Sequence, residues 1–417
     1  MIAFFTDPVL RAPTLGAMLM CLTASLVGVI AYVRRRSLIG ETLSHAAYPG
    51  IVLGASIALF DGVMLAGAFA SALVALWLSH FLQKRLRLSS DASLCAILVA
   101  FLGVGVLLAS HLQFARPILY TQIQVFLYGQ AATLLDSHVI MYAILACTTI
   151  TFITLFFHQI KTINFDRAFS SSIGLPTNAI DTLTLTLLAL AVVVGIRSVG
   201  VVLMSGMLIA PAVAARRLTH RLSIMLVLSA LIGMGCGFAG TYLSVSLSAF
   251  RLPTGPIIVL LAASICLLAL LFAPEQGLVT RWLRIMRFRR MCQIENVLKV
   301  FWKGGDLPMH EVGKRLGLQA ANVRLIIARL VREGWCKEKA GSYTLTADGE
   351  KRAVRIVRLH RLWEVYLTSE LGIGKDHVHP SAEEMEHIIT PEIELRLVLL
   401  LKNPKKDPHL QPIPKAP

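Results

Sequence analysis

Between residues 15 and 272 the sequence is a succession of apolar runs separated by short polar or basic joints. Each run is about 18–25 residues long, the length a helix needs to cross the hydrocarbon layer of a bilayer. Inside that layer every backbone N–H and C=O must be bonded within its own segment, so helices are the structures that fit. The chain therefore reads as an all-α polytopic membrane domain with about nine transmembrane helices, at 15–33, 42–60, 63–82, 91–109, 136–158, 179–196, 199–215, 222–243 and 256–273. The apolar stretch 118–131 is too short to cross and is expected to be re-entrant or to lie on the outer face.

Beyond residue 275 long apolar runs stop and charges become frequent. Only 15% of the 417 residues are charged, against about a quarter in soluble domains, and the deficit sits in the first part. The sequence thus divides into a membrane part and a soluble part that is mostly helical. The net charge of +16 has two sources. Arg34–Arg36, Lys84–Arg87, Lys161–Arg167 and Arg216–Arg221 lie between spans, and Arg281–Arg290 follows the last one. Placing all of these groups on the cytoplasmic side requires nine spans, an outer N-terminus and an inner C-terminus. Arg281–Arg290 either marks the cytoplasmic end of the last span or binds nucleic acid or anionic lipid. Seven scattered cysteines form no CxxC pair, which points away from a disulfide framework or a cysteine zinc site.

Three joints of the membrane part carry unusual residues. In Arg34-Arg-Arg-Ser-Leu-Ile-Gly-Glu41-Thr-Leu-Ser-His45, Glu41 and His45 stand four apart and share a helix face. Ionisable side chains are costly in a bilayer, so the pair either lines a pathway or pairs and snorkels at the cytoplasmic end. The polar segment from Asn164 to Pro176, with Asp166 and Gly174, holds an amphipathic turn; it is either a docking element or an ordinary loop. Arg197-Ser-Val-Gly200 and Pro211 punctuate a late span, as in helices that pack closely or line a pathway.

In the soluble part, Ile294, Val297, Leu298 and Phe301 have helical spacing, and Gly304-Gly305-Asp306 ends that helix. A short helix over 307–316, a turn at Gly317, a helix over 319–335 and a hairpin over 337–346 around Ala340-Gly341 follow. Helix, turn, helix and wing is the layout of a winged DNA reader, which places Gln319, Asn322 and Arg324 towards DNA. The same layout also serves protein contact. Further on, His360, Glu364, His379, Glu383, Glu386 and His387 supply six candidate metal ligands in under thirty residues. Carboxylates and imidazoles at i, i+3 and i+4 on a helix suit a divalent transition metal.

These segments resemble two families. RRRSLIGETLSHAAYPGIVLG, FDRAFSSSIGLP and RSVGVVLMSGMLIAPAVAARRL are similar to the opening, coupling-loop and late-span motifs of metal-ion ABC transporter permeases, across about residues 10–275. That resemblance implies Glu41 and His45 in the transport pathway and Asp166, Gly174 and Pro176 in ATPase coupling. Glu41 stands where the family often has Asp. The sequence has no G-x-x-x-x-G-K-[ST] phosphate loop, so the chain reads as a non-enzymatic permease subunit. The resemblance implies a separate ATP-binding subunit, an extracytoplasmic metal-binding protein and a second permease chain.

RLHRLWEVYL, VHPSAEEMEH and NPKKDPHLQPIP resemble metal-dependent repressors of the diphtheria toxin repressor type. The resemblance implies one metal site at His360, Glu364 and His379. It implies a second at Glu383, Glu386 and His387, joined by His360 in manganese-type members. Family members add a ligand from the first helix, for which Glu295 and Asn296 are the nearest candidates. The implied domains are a transmembrane permease at 1–275, a basic linker at 276–293, a winged helix at 294–350 and a metal-binding and dimerisation domain at 351–417. The expected function is import of manganese, iron or zinc by a permease carrying a metal-responsive DNA-binding regulator. Two rivals are a sensor that regulates transport without DNA, and a regulator released by cleavage in the basic linker.

Overall fold

A computed structural model describes residues 3–58, 60–247, 252–339 and 341–416. Leu59, in the expected span 42–60, and Ala340, at the expected hairpin tip, lie outside the described residues. The chain divides into two compact units, Met1–Arg281 and Trp282–Pro417.

Among its described residues, every regular element of the first unit is a helix. Its elements are α1 (Ala3–Thr6), α2 (Pro8–Val33), α3 (Leu38–Ile57), α4 (Asp61–Arg85), α5 (Ser90–Ala115), α6 (Pro117–Tyr128), α7 (Asp136–Leu155), α8 (Phe157–Phe165), α9 (Arg167–Ser172), α10 (Thr177–Val199), α11 (Val201–Leu218), α12 (Leu222–Ser246) and α13 (Thr254–Phe272). Seven of these, α2, α4, α5, α7, α10, α12 and α13, are long and apolar enough to cross a membrane. The two remaining expected spans coincide with α3 and α11. Glu41, His45 and Pro49 lower the hydropathy of α3, and Pro211, Arg216 and Arg217 punctuate α11. Both helices compensate by lying inside the bundle, where Ala46, Ile51, Met204 and Leu208 are fully buried. The expected short segment is α6, whose 12 residues reach about 18 Å and cannot span.

Helix α2 starts where Asp7 caps the Val9 N–H and Pro8 sets the first turn. It runs through the centre of the bundle, with Cys21, Ala24 and Val27 fully buried. By contrast, α5 and α13 bury only 28% and 22% of their apolar windows, leaving Leu107 and Leu260 to face a hydrocarbon surround. Small residues set the crossing of α3 and α4. A Cβ on Gly50 would lie 2.1 Å from the Gly67 carbonyl oxygen, so only glycine permits this approach.

The second unit begins within α14 (Leu278–Gly304), which is one continuous helix. The basic stretch 276–293, expected as a linker, is therefore helical from Leu278 onward, because its arginines are good helix formers spaced among Leu, Ile, Met and Phe. α15 (Met309–Leu316), α16 (Ala320–Arg332) and the antiparallel pair β1 (Cys336–Lys339) and β2 (Ser342–Leu345) complete a winged helix. The strands pair Cys336 with Leu345 and Lys339 with Ser342. Val297, Phe301, Val312, Val323, Ile327 and Leu330 form its core. α17 (Ala347–Ser369), α18 (His379–Met385) and α19 (Pro391–Leu400) follow, with Leu359, Ile389 and Leu397 packed together. Arg358 and Arg361 hold the tail by donating to the carbonyls of Pro414 and Pro412.

Candidate metal centres and coupling segment

Glu41 stands in the first turn of α3 and His45 one turn on, both half-buried. The flanking Thr42 and Ser44 turn their hydroxyls back to the helix carbonyls of Leu38 and Gly40. His45 Nδ1 is buried without a hydrogen-bond partner among the described residues. An imidazole nitrogen left open beside a carboxylate, inside an apolar bundle, is a donor pair available to a passing cation.

Asp166 ends α8 and caps α9, its Oδ1 accepting the Phe169 N–H at 2.9 Å. Gly174 takes φ +80°, a left-handed turn suited to glycine, and Pro176 caps α10. Phe165 is 93% exposed, and Phe169 and Ile173 are also exposed. A groove of about 1400 Å³ beside them is lined by Tyr32, Phe165, Phe169 and Arg221 among others. Sequence reasoning missed what anchors this segment. Asp181 on α10 pairs with Arg34 and with Arg167, each at 2.9 Å, and Arg34 Nε donates to Asn164 at 3.1 Å. One carboxylate thus ties the end of α2 to the α8–α9 segment.

In the second unit His360 and Glu364 stand one turn apart on α17, and His379 opens α18. His360 Nε2 lies 3.0 Å from His379 Nδ1 and 3.2 Å from Glu364 Oε1, and His379 Nδ1 lies 3.0 Å from that same oxygen. Ligands about 2.1 Å from one ion, at right angles, stand about 3 Å apart, so the three donors fit a divalent metal as they are. Glu364 and His360 are buried, whereas the His379 side chain is half exposed and leaves a way in. Burial opposes charge on Glu364, but hydrogen bonds from His360 and His379 hold its pKa down at about 2. Burial likewise opposes charge on His360, yet Glu364 and Glu386 outweigh it and raise the imidazole pKa.

The other expected ligands surround a residue that sequence reasoning missed, Lys299. Helix α18 ends at Met385, so Glu386 and His387 follow its last turn instead of continuing a helix through 387. Lys299 Nζ on α14 donates to both Glu386 oxygens at 2.9 Å and lies 3.9 Å from Glu383 Oε1. Glu386 Oε2 also lies 2.5 Å from His360 Nδ1. His387 Nδ1 lies 2.6 Å from Glu295 Oε2, so of the two first-helix candidates Glu295 reaches the cluster. Burial works against the Glu386 charge, but His360 and Lys299 more than offset it and lower its pKa. The only hint in the sequence was spacing, since Lys299 stands one turn beyond Glu295.

Gln319 caps α16, and Asn322 and Arg324 are exposed on its first turns, as expected of the face of a recognition helix.

The sequence from residue 6 to 273 matches the ABC 3 transport family. The chain belongs to that family. Residues 346–415 match the domain described as iron dependent repressor, metal binding and dimerisation domain. The chain is 37% identical over 439 residues to a probable metal transport system membrane protein of Chlamydia trachomatis, covering 99% of this chain and 97% of that one. It is 30% identical over 371 residues to the manganese transport system membrane protein MntC of Bacillus subtilis, covering 86% and 84%. Among solved structures, PsaBC from Streptococcus pneumoniae in complex with Fab is similar with a TM-score of 0.59 and 27% identity, over 69% of this chain and 100% of that chain. This is a multi-pass metal permease with a C-terminal metal-dependent regulator domain.

Proposed function

We propose that the chain is the membrane-spanning subunit of an ATP-driven importer of manganese, iron or zinc, and that its C-terminal unit reads the imported metal and binds operator DNA. Two permease chains would enclose the pathway, a separate ATP-binding subunit would dock on 164–176, and an extracytoplasmic binding protein would deliver the ion. The domains we propose are the permease at 1–275, a basic linker at 276–293, the winged helix at 294–350 and the metal-binding and dimerisation domain at 351–417; a division into two units between Arg281 and Trp282 supports this order. The cell membrane, with the C-terminal unit in the cytoplasm, is the location that the basic joints support.

The observation that carries this reading is the triangle of His360 Nε2, Glu364 Oε1 and His379 Nδ1, with sides of 3.0–3.2 Å, on a chain whose other unit is a metal permease. A divalent ion held there would tie α17 to α18. Imidazole and carboxylate donors suit Mn(II), Fe(II) and Zn(II) alike. DNA is favoured over a purely transport-regulating role because Asn322 and Arg324 stand exposed at the start of α16.

The test uses the full chain in lipid nanodiscs with Mn(II), scored by gel shift against promoter fragments from around its own coding region. Retention of a fragment only with metal, lost in His360→Ala/Glu364→Ala, is the expected result. Metal binding with no fragment ever retained would leave a transport regulator in place of a repressor.

A further inference from the structure

The cluster of Glu383, Glu386 and His387 has the donors of a second metal centre but already contains a cation. Lys299 Nζ sits 2.9 Å from each oxygen of Glu386, with the Lys299 side chain 9% exposed and that of Glu386 fully buried. The same ammonium is 3.9 Å from Glu383 Oε1. Glu386 Oε2 takes, in addition, the Nδ1–H of His360 at 2.5 Å, leaving Glu386 as an outer partner that orients His360 towards the triangle. His387 directs Nδ1 to Glu295 at 2.6 Å, and its Nε2 lies 3.6 Å from Glu386 Oε1 without a hydrogen-bond partner among the described residues. A divalent ion on Glu386 would have to expel the ammonium or share a buried carboxylate with it, at a Coulomb cost that grows as water is excluded. Removing one member of a buried pair strands the other, which opposes expulsion.

We infer that Lys299 is a tethered cation filling the second centre, so that the regulator unit takes one metal ion, at His360, Glu364 and His379. The link from α14 to the turn after α18, which a second ion would otherwise make on demand, is permanent. Metal then acts through α17 and α18 alone. The inference rests on the proposed sensing role of the triangle, and the two can fail separately.

The experiment counts Mn(II) per full-length chain in detergent, by equilibrium dialysis with elemental analysis. Wild type and His387→Ala should bind the same number of ions, and His379→Ala one fewer. Lys299→Met should bind one more than wild type, and Lys299→Met/His387→Ala should return to the wild-type count. The inference is overturned if His387→Ala costs the wild type an ion, or if folded Lys299→Met gains none. Should Lys299→Met fail to fold, the wild-type Mn(II) electron spin resonance spectrum decides: isolated ions support a filled second centre, and a spin-coupled pair overturns it. If His379→Ala loses no ion, the sensing role of the triangle fails, while the gain in Lys299→Met still judges Lys299.

Discussion

Nδ1 of His360 lies 2.5 Å from Oε2 of Glu386, and this contact fixes which nitrogen of the imidazole would be left for a metal. With Nδ1–H donated to the carboxylate, the Nε2 lone pair points to Glu364 and His379. Loss of the carboxylate charge weakens this hydrogen bond, and with it the hold on the ring and the basicity of Nε2. Glu386→Gln should lower Mn(II) affinity by about 10–100-fold without removing a ligand of the triangle, read by titration calorimetry. Unchanged affinity would separate Glu386 from the centre.

The same geometry sets a pH dependence. A metal in the triangle would need the His360 Nε2 lone pair, so a protonated imidazole would have to lose a proton on binding. Burial disfavours the imidazolium, but Glu364 and Glu386 overcome it and raise the pKa above the ordinary 6.5. A raised pKa keeps the proton to higher pH, so competition begins as pH falls through a value above 6.5. Glu364, held down at about 2, stays ionised throughout and adds no step. Mn(II) affinity should fall about tenfold per pH unit below that midpoint. A flat profile from pH 8 to 6 would mean that His360 is not a ligand.

How far the sequence spoke for itself depends on what each residue does. Membrane spans are legible because a helix crossing hydrocarbon needs a long apolar run, and all nine expected runs coincide with helices among the described residues. The shortness of the 118–131 stretch marked α6 as a non-crossing helix. His360, Glu364 and His379 were legible because imidazoles and carboxylates crowd one short stretch. Lys299 was not, since a lysine on an amphipathic helix ordinarily reads as a solvated face, and only the fold brings it to Glu386 from 87 residues away. Asp181 was hidden in the same way, being an acidic residue near a span end whose partners, Arg34 and Arg167, come from other helices. The continuity of α14 was obscured by its arginines, which pattern alone cannot tell from a linker.

Asp181 predicts a coupling phenotype. Its carboxylate holds Arg34 and Arg167 at 2.9 Å, and both Arg34 and Asp181 are largely shielded from water. Asp181→Asn removes the charge and keeps the shape, so α9 should lose its anchor while the bundle still folds. The expected outcome is a severalfold loss of transport-stimulated ATP hydrolysis, with co-purification of the ATP-binding subunit reduced. Stimulation at the wild-type level would show that the segment is held by other contacts.

Glu41 and His45 predict a transport phenotype. The pair sits one turn apart on α3, with His45 Nδ1 buried and unpartnered among the described residues. Glu41→Ala and His45→Ala should each cut radiometal uptake into reconstituted vesicles by about tenfold or more, the loss expected when a buried charged interaction worth about 1.5–3 kcal/mol is deleted. Assembly with the ATP-binding subunit should be unchanged. Wild-type uptake by both variants would take the pair out of the pathway.

Arg324 would separate the proposed DNA binding of the regulator unit from its proposed metal binding. It is exposed near the start of α16, remote in sequence from the triangle's ligands on α17 and α18. If α16 enters a major groove, Arg324→Ala deletes a base or phosphate contact and should weaken DNA binding by about 1–3 kcal/mol, roughly 5–150-fold. Mn(II) affinity should not change. A flattened salt dependence would identify the lost contact as one to phosphate, because each such contact releases counterions on binding. Relaxed sequence preference at one position, with the salt slope unaltered, would identify a base contact instead. Wild-type DNA affinity in Arg324→Ala would remove this face of α16 from the interface.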